Sequence, residues 1–328
     1  MKIATIGTGF IVDTFLESLK TIPDVECIAM FSRKLETAAP LAQKYSIDLV
    51  YTDMDAMLAN SEIDFVYVAS PNSLHYEQAL KALQQGKNVI CEKPFTSTTK
   101  ETEHLITVAR ENKLMLFEAI TTIHLPNFLF LKQSLARLGK IRVIQCNYSQ
   151  YSSRYNKLLA GETPNIFNPQ FSGGALLDIN IYNLHFVMNL FGYPQGVHYY
   201  ANKHSNGIDT SGILILEYPE FLAECVGSKD TGSLNFAMIQ GENGYLLVEE
   251  GANGCRKVIF HCGANDEIRF DEQPNPNLLY YEMKRFCEIH KQNDYAACYT
   301  ILDYSLTVVS VLEKARKDAG ILFPADSK

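Results

Sequence analysis

The chain reads as an α/β protein: a doubly wound parallel sheet in the first 120 residues, then a second α/β domain rich in strands. Three observations predict this. Short apolar runs of strand length alternate with amphipathic helical stretches through the first third. A Gly-Thr-Gly turn joins the first run to the first helix. Past residue 120 most strand-like runs follow one another across Gly, Asn and Asp, as antiparallel connections do.

Taken in order, strands are expected at 2–7, 25–31, 47–51, 64–69, 88–92 and 113–117. Between them, Ile11, Phe15, Leu16 and Leu19 share one face of a helix over 10–20. A second helix covers 74–85, and a third, 98–112, opens on a capping box from Thr98 to Glu101. Strands alternating with helices of this length make parallel βαβ units covered on both faces, a domain over 1–120. The second domain, 121–328, is expected to carry helices at 127–138 and 175–191. Its strands fall at 140–151, 196–203, 211–218, 221–228, 233–240, 244–249 and 256–261. Helices at 277–291 and 295–318 close the chain, and 152–174 reads as a long functional loop.

Composition narrows the function. Hydrophobic residues at 47% and charged residues at 20% describe a globular protein. A net charge of −8 argues against nucleic acid as a partner, because phosphate neutralisation needs a basic face. No apolar run of about 18 residues suggests a membrane span, and MKIATIGTGF enters a strand with no secretory h-region. The eight cysteines form no CxxC pair, which suits buried thiols in a reducing cytoplasm. Cys255 and Cys262 lack further Cys or His ligands, so no metal is expected.

Chemistry concentrates in four stretches. In GTGFIV, Gly7 permits the turn and Gly9 lets the backbone approach a pyrophosphate at the N-terminus of the helix opened by Phe10 and Ile11. Val12 replaces the third glycine, and the same turn is compatible with a purely structural role. The second strand ends in Phe31-Ser32-Arg33-Lys34 with no carboxylate for a ribose 2′-hydroxyl. Ser32 and Arg33 suit a 2′-phosphate, so NADP is expected, with NAD as the alternative; solvated charges at a helix start would read the same. After the fourth strand come Ser70, Asn72 and His75, at the carboxyl edge where open sheets bind ligands, although Asn72 and Ser73 also serve as ordinary helix caps.

The fifth strand delivers Glu92-Lys93-Pro94 to the same edge. Desolvation lowers the pKa of an amine there and Glu92 opposes the shift; either way Lys93 can donate a proton to a carbonyl as hydride arrives. Pro94 fixes the backbone, and a cis Lys–Pro bond would aim the lysine inward. In the second domain, Asp178, Tyr182 and His185 fall at i, i+4 and i+7 on one helix face. An acid, a phenol and an imidazole there could bind a polyol and shuttle its proton. A helix burying Leu176, Leu177, Ile181 and Leu184 and solvating its polar side has the same pattern.

Together GTGFI, VYVASPNSLHYEQAL, GKNVICEKP and GGALLDINIY resemble the Gfo/Idh/MocA family of nicotinamide-dependent oxidoreductases, along nearly the whole chain. The resemblance implies a Rossmann domain followed by an α/β domain with a large, mostly antiparallel open sheet, whose open face is commonly an oligomer interface; a homodimer or homotetramer is expected. It implies Lys93 as catalytic lysine, Tyr182 as the proton donor where many members have His, and Asp178 as the acid of that helix. Glu118-Ala119 resembles the junction into the second domain. Asn180 departs from a usual Gly, and His185 from an Asp of many sugar dehydrogenases.

The expected protein is thus a cytoplasmic NADP(H)-dependent oxidoreductase of a sugar, polyol or related carbonyl. Catalysis falls to Lys93, Tyr182 and Asp178, and substrate binding to Lys93, Tyr182 and His185. The cofactor falls to Gly7, Gly9, Phe10, Ile11, Ser32, Arg33, Ser70, Asn72, His75, Glu92 and Lys93. Two rivals are a non-catalytic cofactor-binding sensor and an enzyme that recycles tightly held NAD.

Overall fold

The computed structural model describes residues 1–263 and 266–327. The chain groups into two compact units, residues 1–119 with 275–306 and residues 120–274 with the remainder. A single division at 120/121 therefore does not describe them, because residues 275–306 return to the first unit.

In the first unit six strands form one parallel sheet: β1 (Lys2–Ile6), β2 (Glu26–Phe31), β3 (Leu49–Tyr51), β4 (Phe65–Val68), β5 (Asn88–Glu92) and β6 (Leu116–Ala119). Their order is β3-β2-β1-β4-β5-β6, so the strand order reverses between β1 and β4. All four residues of β4 are buried, as a strand covered on both faces requires. The covering helices are α1 (Phe10–Leu19), α2 (Leu35–Tyr45), α3 (Met54–Leu58), α4 (His75–Gln84) and α5 (Thr99–Glu111).

The Thr98 hydroxyl accepts from the Glu101 amide and the Glu101 carboxylate takes the Thr98 amide, so the expected capping box closes α5. β6 begins later than its apolar run suggests. Lys113 holds φ 53 and the Leu114 amide bonds back to Ala109, so this stretch ends the helix before the strand can start.

The second unit opens with α6 (Pro126–Ser134), β7 (Ile141–Ser149) and α7 (Tyr155–Leu159). The expected loop over 152–174 is thus partly helical, with buried Leu158 and Phe167 pinning it down. A π-helical turn, Leu176–Asn180, leads into α8 (Ile181–Phe191).

Seven further strands follow: β8 (Gly196–Lys203), β9 (Asp209–Glu217), β10 (Leu222–Ser228), β11 (Phe236–Gly241), β12 (Gly244–Val248), β13 (Val258–Cys262) and β14 (Asp266–Phe270). The sheet order is β14-β13-β12-β11-β7-β10-β9-β8, and only β7 and β10 run parallel. This is the large, mostly antiparallel sheet the resemblance implied.

Two helices close the chain, α9 (Leu279–Lys291) and α10 (Tyr295–Asp318). By length and composition alone α10 is long and apolar enough to cross a bilayer. Its Cys298, Leu302, Val308, Val311 and Ala315 are buried within the protein.

Candidate active site

In the first unit the site builds from the point where the strand order reverses. Gly7 follows β1 with φ 117, and a Cβ there would run into the Ala69 carbonyl after β4. Only glycine fits that approach. Gly9 caps α1 with open space where a Cβ would stand, and Phe10 beside it is 85% exposed. Val12, in place of a third glycine, is fully buried beneath the turn. The turn thus leaves a bare backbone and a helix N-terminus facing outward, which suits a pyrophosphate.

At the end of β2 the Ser32 hydroxyl lies 2.5 Å from that of Thr37, and the Lys34 amide bonds to it at 3.4 Å. Arg33 is exposed, and among the described residues its guanidinium makes no hydrogen bond or ion pair. These two donors fit a ribose phosphate and would otherwise be plain surface.

The turns after β4 and β5 lock together. His75 is buried, with Nδ1 2.9 Å from the Pro94 carbonyl and Nε2 2.9 Å from the Ser70 carbonyl. Burial pushes the imidazole below its ordinary value, against the two carbonyls that favour its charged form. His75 is therefore a brace between two site turns, and its ring nitrogens are already engaged. Asn72 lies in a short 3-10 turn just before it, half-buried.

Glu92 is also buried. Its carboxylate accepts from the Tyr67 hydroxyl at 2.5 Å, and Tyr67 stacks on Phe15 with centroids 3.7 Å apart. Burial raises the Glu92 carboxyl; Tyr67 and Lys93 oppose the shift without cancelling it. Lys93 itself stays half-exposed, and its peptide bond to Pro94 is cis. Glu92 on one side and His75 on the other thus hold the backbone that presents Lys93.

In the second unit the helix with the acid and phenol is anchored by residues far away in sequence. Asp209, at the start of β9, is 1% exposed; its Oδ2 accepts from the Leu176 amide and the Tyr199 hydroxyl, both at 2.7 Å. Burial raises this carboxyl, while Tyr199 and the Leu176 amide oppose the rise. Gly174 holds φ 108, and a Cβ there would strike the same carboxylate, which explains the glycine.

Asn180 is fully buried, donating to the Cys225 carbonyl at 2.9 Å, and Asn183 donates to the Val226 carbonyl at 2.9 Å. Gly227 makes the room: a Cβ on it would sit 2.5 Å from the Asn180 Cβ. The departure from glycine at 180 is thus matched by a glycine on β10.

Asp178 and Tyr182 remain half-exposed, and Tyr182 packs edge-on against Tyr148 with centroids 5.9 Å apart. His185 does not join them in the accessible stripe. Three residues turn an α-helix about 300°, leaving His185 about 60° from Tyr182, and it is 0% exposed in the core. Its expected role in substrate binding is not supported by this placement.

A residue with no local sequence signal meets Asp178. Lys229, just past β10, is buried and forms an ion pair with Asp178. No group of three His, Cys, Asp or Glu suited to a metal occurs among the described residues.

The chain is similar to known proteins along most of its length. Residues 1–120 match the model of the oxidoreductase family with an NAD-binding Rossmann fold, and residues 130–247 match the Gfo/Idh/MocA C-terminal domain. The chain is 38% identical to an NADP(+) scyllo-inositol 2-dehydrogenase of Bacillus subtilis, over 99% of both chains. It is 26% identical to a trans-1,2-dihydrobenzene-1,2-diol dehydrogenase of Sus scrofa, over 98% of this chain and 97% of that one. A 3-ketoreductase from Actinomadura kijaniata, solved with NADP and TDP-benzene, superposes with a TM-score of 0.85 over 97% of each chain. At 21% identity that likeness is one of fold.

Proposed function

The chain belongs to the Gfo/Idh/MocA oxidoreductase family, and from that premise we propose that it is an NADP-dependent dehydrogenase of a polyol or sugar, a cyclic polyol first among them. The observation that carries the reading is Lys93: a half-exposed amine at the carboxyl end of a parallel strand, its backbone braced by buried Glu92 and His75. The 38% identity to an NADP-dependent inositol dehydrogenase supports the cofactor and the substrate class.

Bound NADP would supply the hydride acceptor. Gly7, Gly9 and the first turn of α1 hold its pyrophosphate, and Ser32 and Arg33 hold its 2′-phosphate. Lys93 bonds the reacting hydroxyl and favours the developing oxyanion, while Tyr182 gives and takes the proton. Asp178 orients the neighbouring hydroxyls.

Lys93→Met is expected to abolish turnover of cyclic polyols, a loss of at least about 100-fold for a proton-transferring group. Fluorescence titration should leave its NADPH affinity within a few fold of the parent, with NADH weaker in both. Turnover that survives the substitution would remove Lys93 from the chemistry.

The open face of the eight-stranded sheet supports assembly into a homodimer or homotetramer. Tyr200, Ile213, Leu222 and Val143 are exposed there, Tyr200 paired with Ile213 and Leu222 with Val143 in register. Sedimentation at micromolar concentration should show no monomer; a monomeric protein would refute this assembly.

A further inference from the structure

We infer that Lys229 is a substrate-binding residue: with Asp178 it forms a donor–acceptor pair for two adjacent hydroxyls of a neutral polyol. The inference rests on the polyol reading above and adds a residue to it.

The starting point is a shortage of acceptors. Lys229 is 6% exposed, and its ammonium carries three N–H donors. One meets the Asp178 carboxylate. Among the described residues the other two meet nothing. Buried polar groups nearly always hold at least one partner, which Asp178 supplies here; the donors that remain beside this half-exposed carboxylate are free to serve a ligand that brings acceptors.

The neighbouring acid does not compete for this ammonium. Asp230 already accepts from Thr210 at 2.7 Å, Ser211 at 3.0 Å and Ser228 at 2.7 Å.

The pair is also held in place before any ligand arrives. The Lys229 amide donates to the Thr210 carbonyl at 2.8 Å, and its carbonyl accepts from the Ser152 amide at 2.9 Å, so the backbone is gripped on both sides. Asp178 sits on a helix tied down through Asp209, Asn180 and Asn183. Neither partner needs to be ordered on binding, which is what a specific polar site requires.

The chemistry selects the ligand class. An unpaired lysine would favour a phosphate or carboxylate, but here Asp178 already balances the charge. What remains is one set of N–H donors next to a carboxylate acceptor. A vicinal diol matches it: one hydroxyl oxygen accepts from Lys229 while the next hydroxyl donates to Asp178.

The test compares Lys229→Met with the parent enzyme, using NADP, scyllo-inositol and a monodeoxy analogue that lacks one hydroxyl. A hydrogen bond from a charged group is worth roughly 1.5–3 kcal/mol, so KM for the polyol should rise about tenfold or more. Affinity for NADPH should stay within about twofold. The parent should prefer the full polyol to its deoxy analogue, and the variant should lose that preference.

Where the Met variant does not fold, Lys229→Gln is read in the same way, and Lys229→Arg should restore part of the affinity. KM and discrimination unchanged in a folded Met or Gln variant would overturn the role of Lys229 while leaving the polyol dehydrogenase standing. A parent protein that oxidises no polyol would overturn both.

Discussion

Glu92 shows how a single residue carries two requirements at once. It is buried at the end of β5, and burial raises its carboxyl above the usual range despite the Tyr67 hydroxyl. The folded protein therefore binds this proton more readily than the unfolded chain. Between the unfolded value, near 4.5, and the raised folded one, the native state holds more protons, so stability falls as pH rises through that window. Glu92→Gln, which cannot titrate, should flatten this dependence. Melting curves from pH 4.5 to 8 should show the parent losing stability relative to the variant as pH rises; parallel curves would refute the assignment. The identity of Glu92, Lys93 and Pro94 was legible in sequence because all three are adjacent and end one apolar strand. Lys229 and Asp209 were not. Lys229 meets Asp178 across 51 positions and Asp209 meets Leu176 across 33, and neither has a local pattern to mark it. His185 was expected beside Asp178 and Tyr182 but is buried; Asp178 sits in a π-helical turn, so the α-helical spacing on which the i+7 count rests does not hold there.

At the scale of elements, the parallel strands were the most legible because each is a short apolar run closed by a turn residue. The capping box of α5 was equally clear, since Thr98 and Glu101 satisfy each other within four residues. Other elements resist local reading. α2 carries Pro40 in its interior and buries only the small Ala38 and Ala42, so its pattern does not announce a helix. The π-helical turn before α8 has no signature in composition either. Long-range contacts define it: Asp209 caps its first turn, and Asn180 fastens its last residue to β10. A side-chain cap of this kind contributes on the order of 1 kcal/mol, and the two buried amide bonds add a similar amount each. That sum, about 3 kcal/mol, is enough to offset the helix propensity at stake over five residues, at most about 0.7 kcal/mol each. Tertiary contacts therefore decide the geometry from which Asp178 projects.

For the whole molecule, the instructive feature is the return of residues 275–306 to the first unit. An αβ series of 120 residues looks self-sufficient in sequence, yet its core is completed from the far end of the chain. Phe286 of α9 stacks on Phe117 of β6 with centroids 4.4 Å apart, and His290 meets Phe65 edge-on at 5.0 Å. Cys298 bonds the Leu116 carbonyl, and Asn277 donates to the Thr14 carbonyl at 2.8 Å. Met283, Phe286, Ile289 and Leu302 are all buried. Each large apolar side chain contributes roughly 1.5–3 kcal/mol on burial, so these four together approach the roughly 5–15 kcal/mol by which a whole domain is stable. A fragment of residues 1–120 is therefore expected to lack a cooperative unfolding transition and to bind NADPH weakly. The same fragment joined through a flexible linker to residues 275–306 should unfold cooperatively in urea and recover the cofactor affinity of the full chain within a few fold. Cooperative unfolding of 1–120 alone would mean that the returning segment decorates a core already complete.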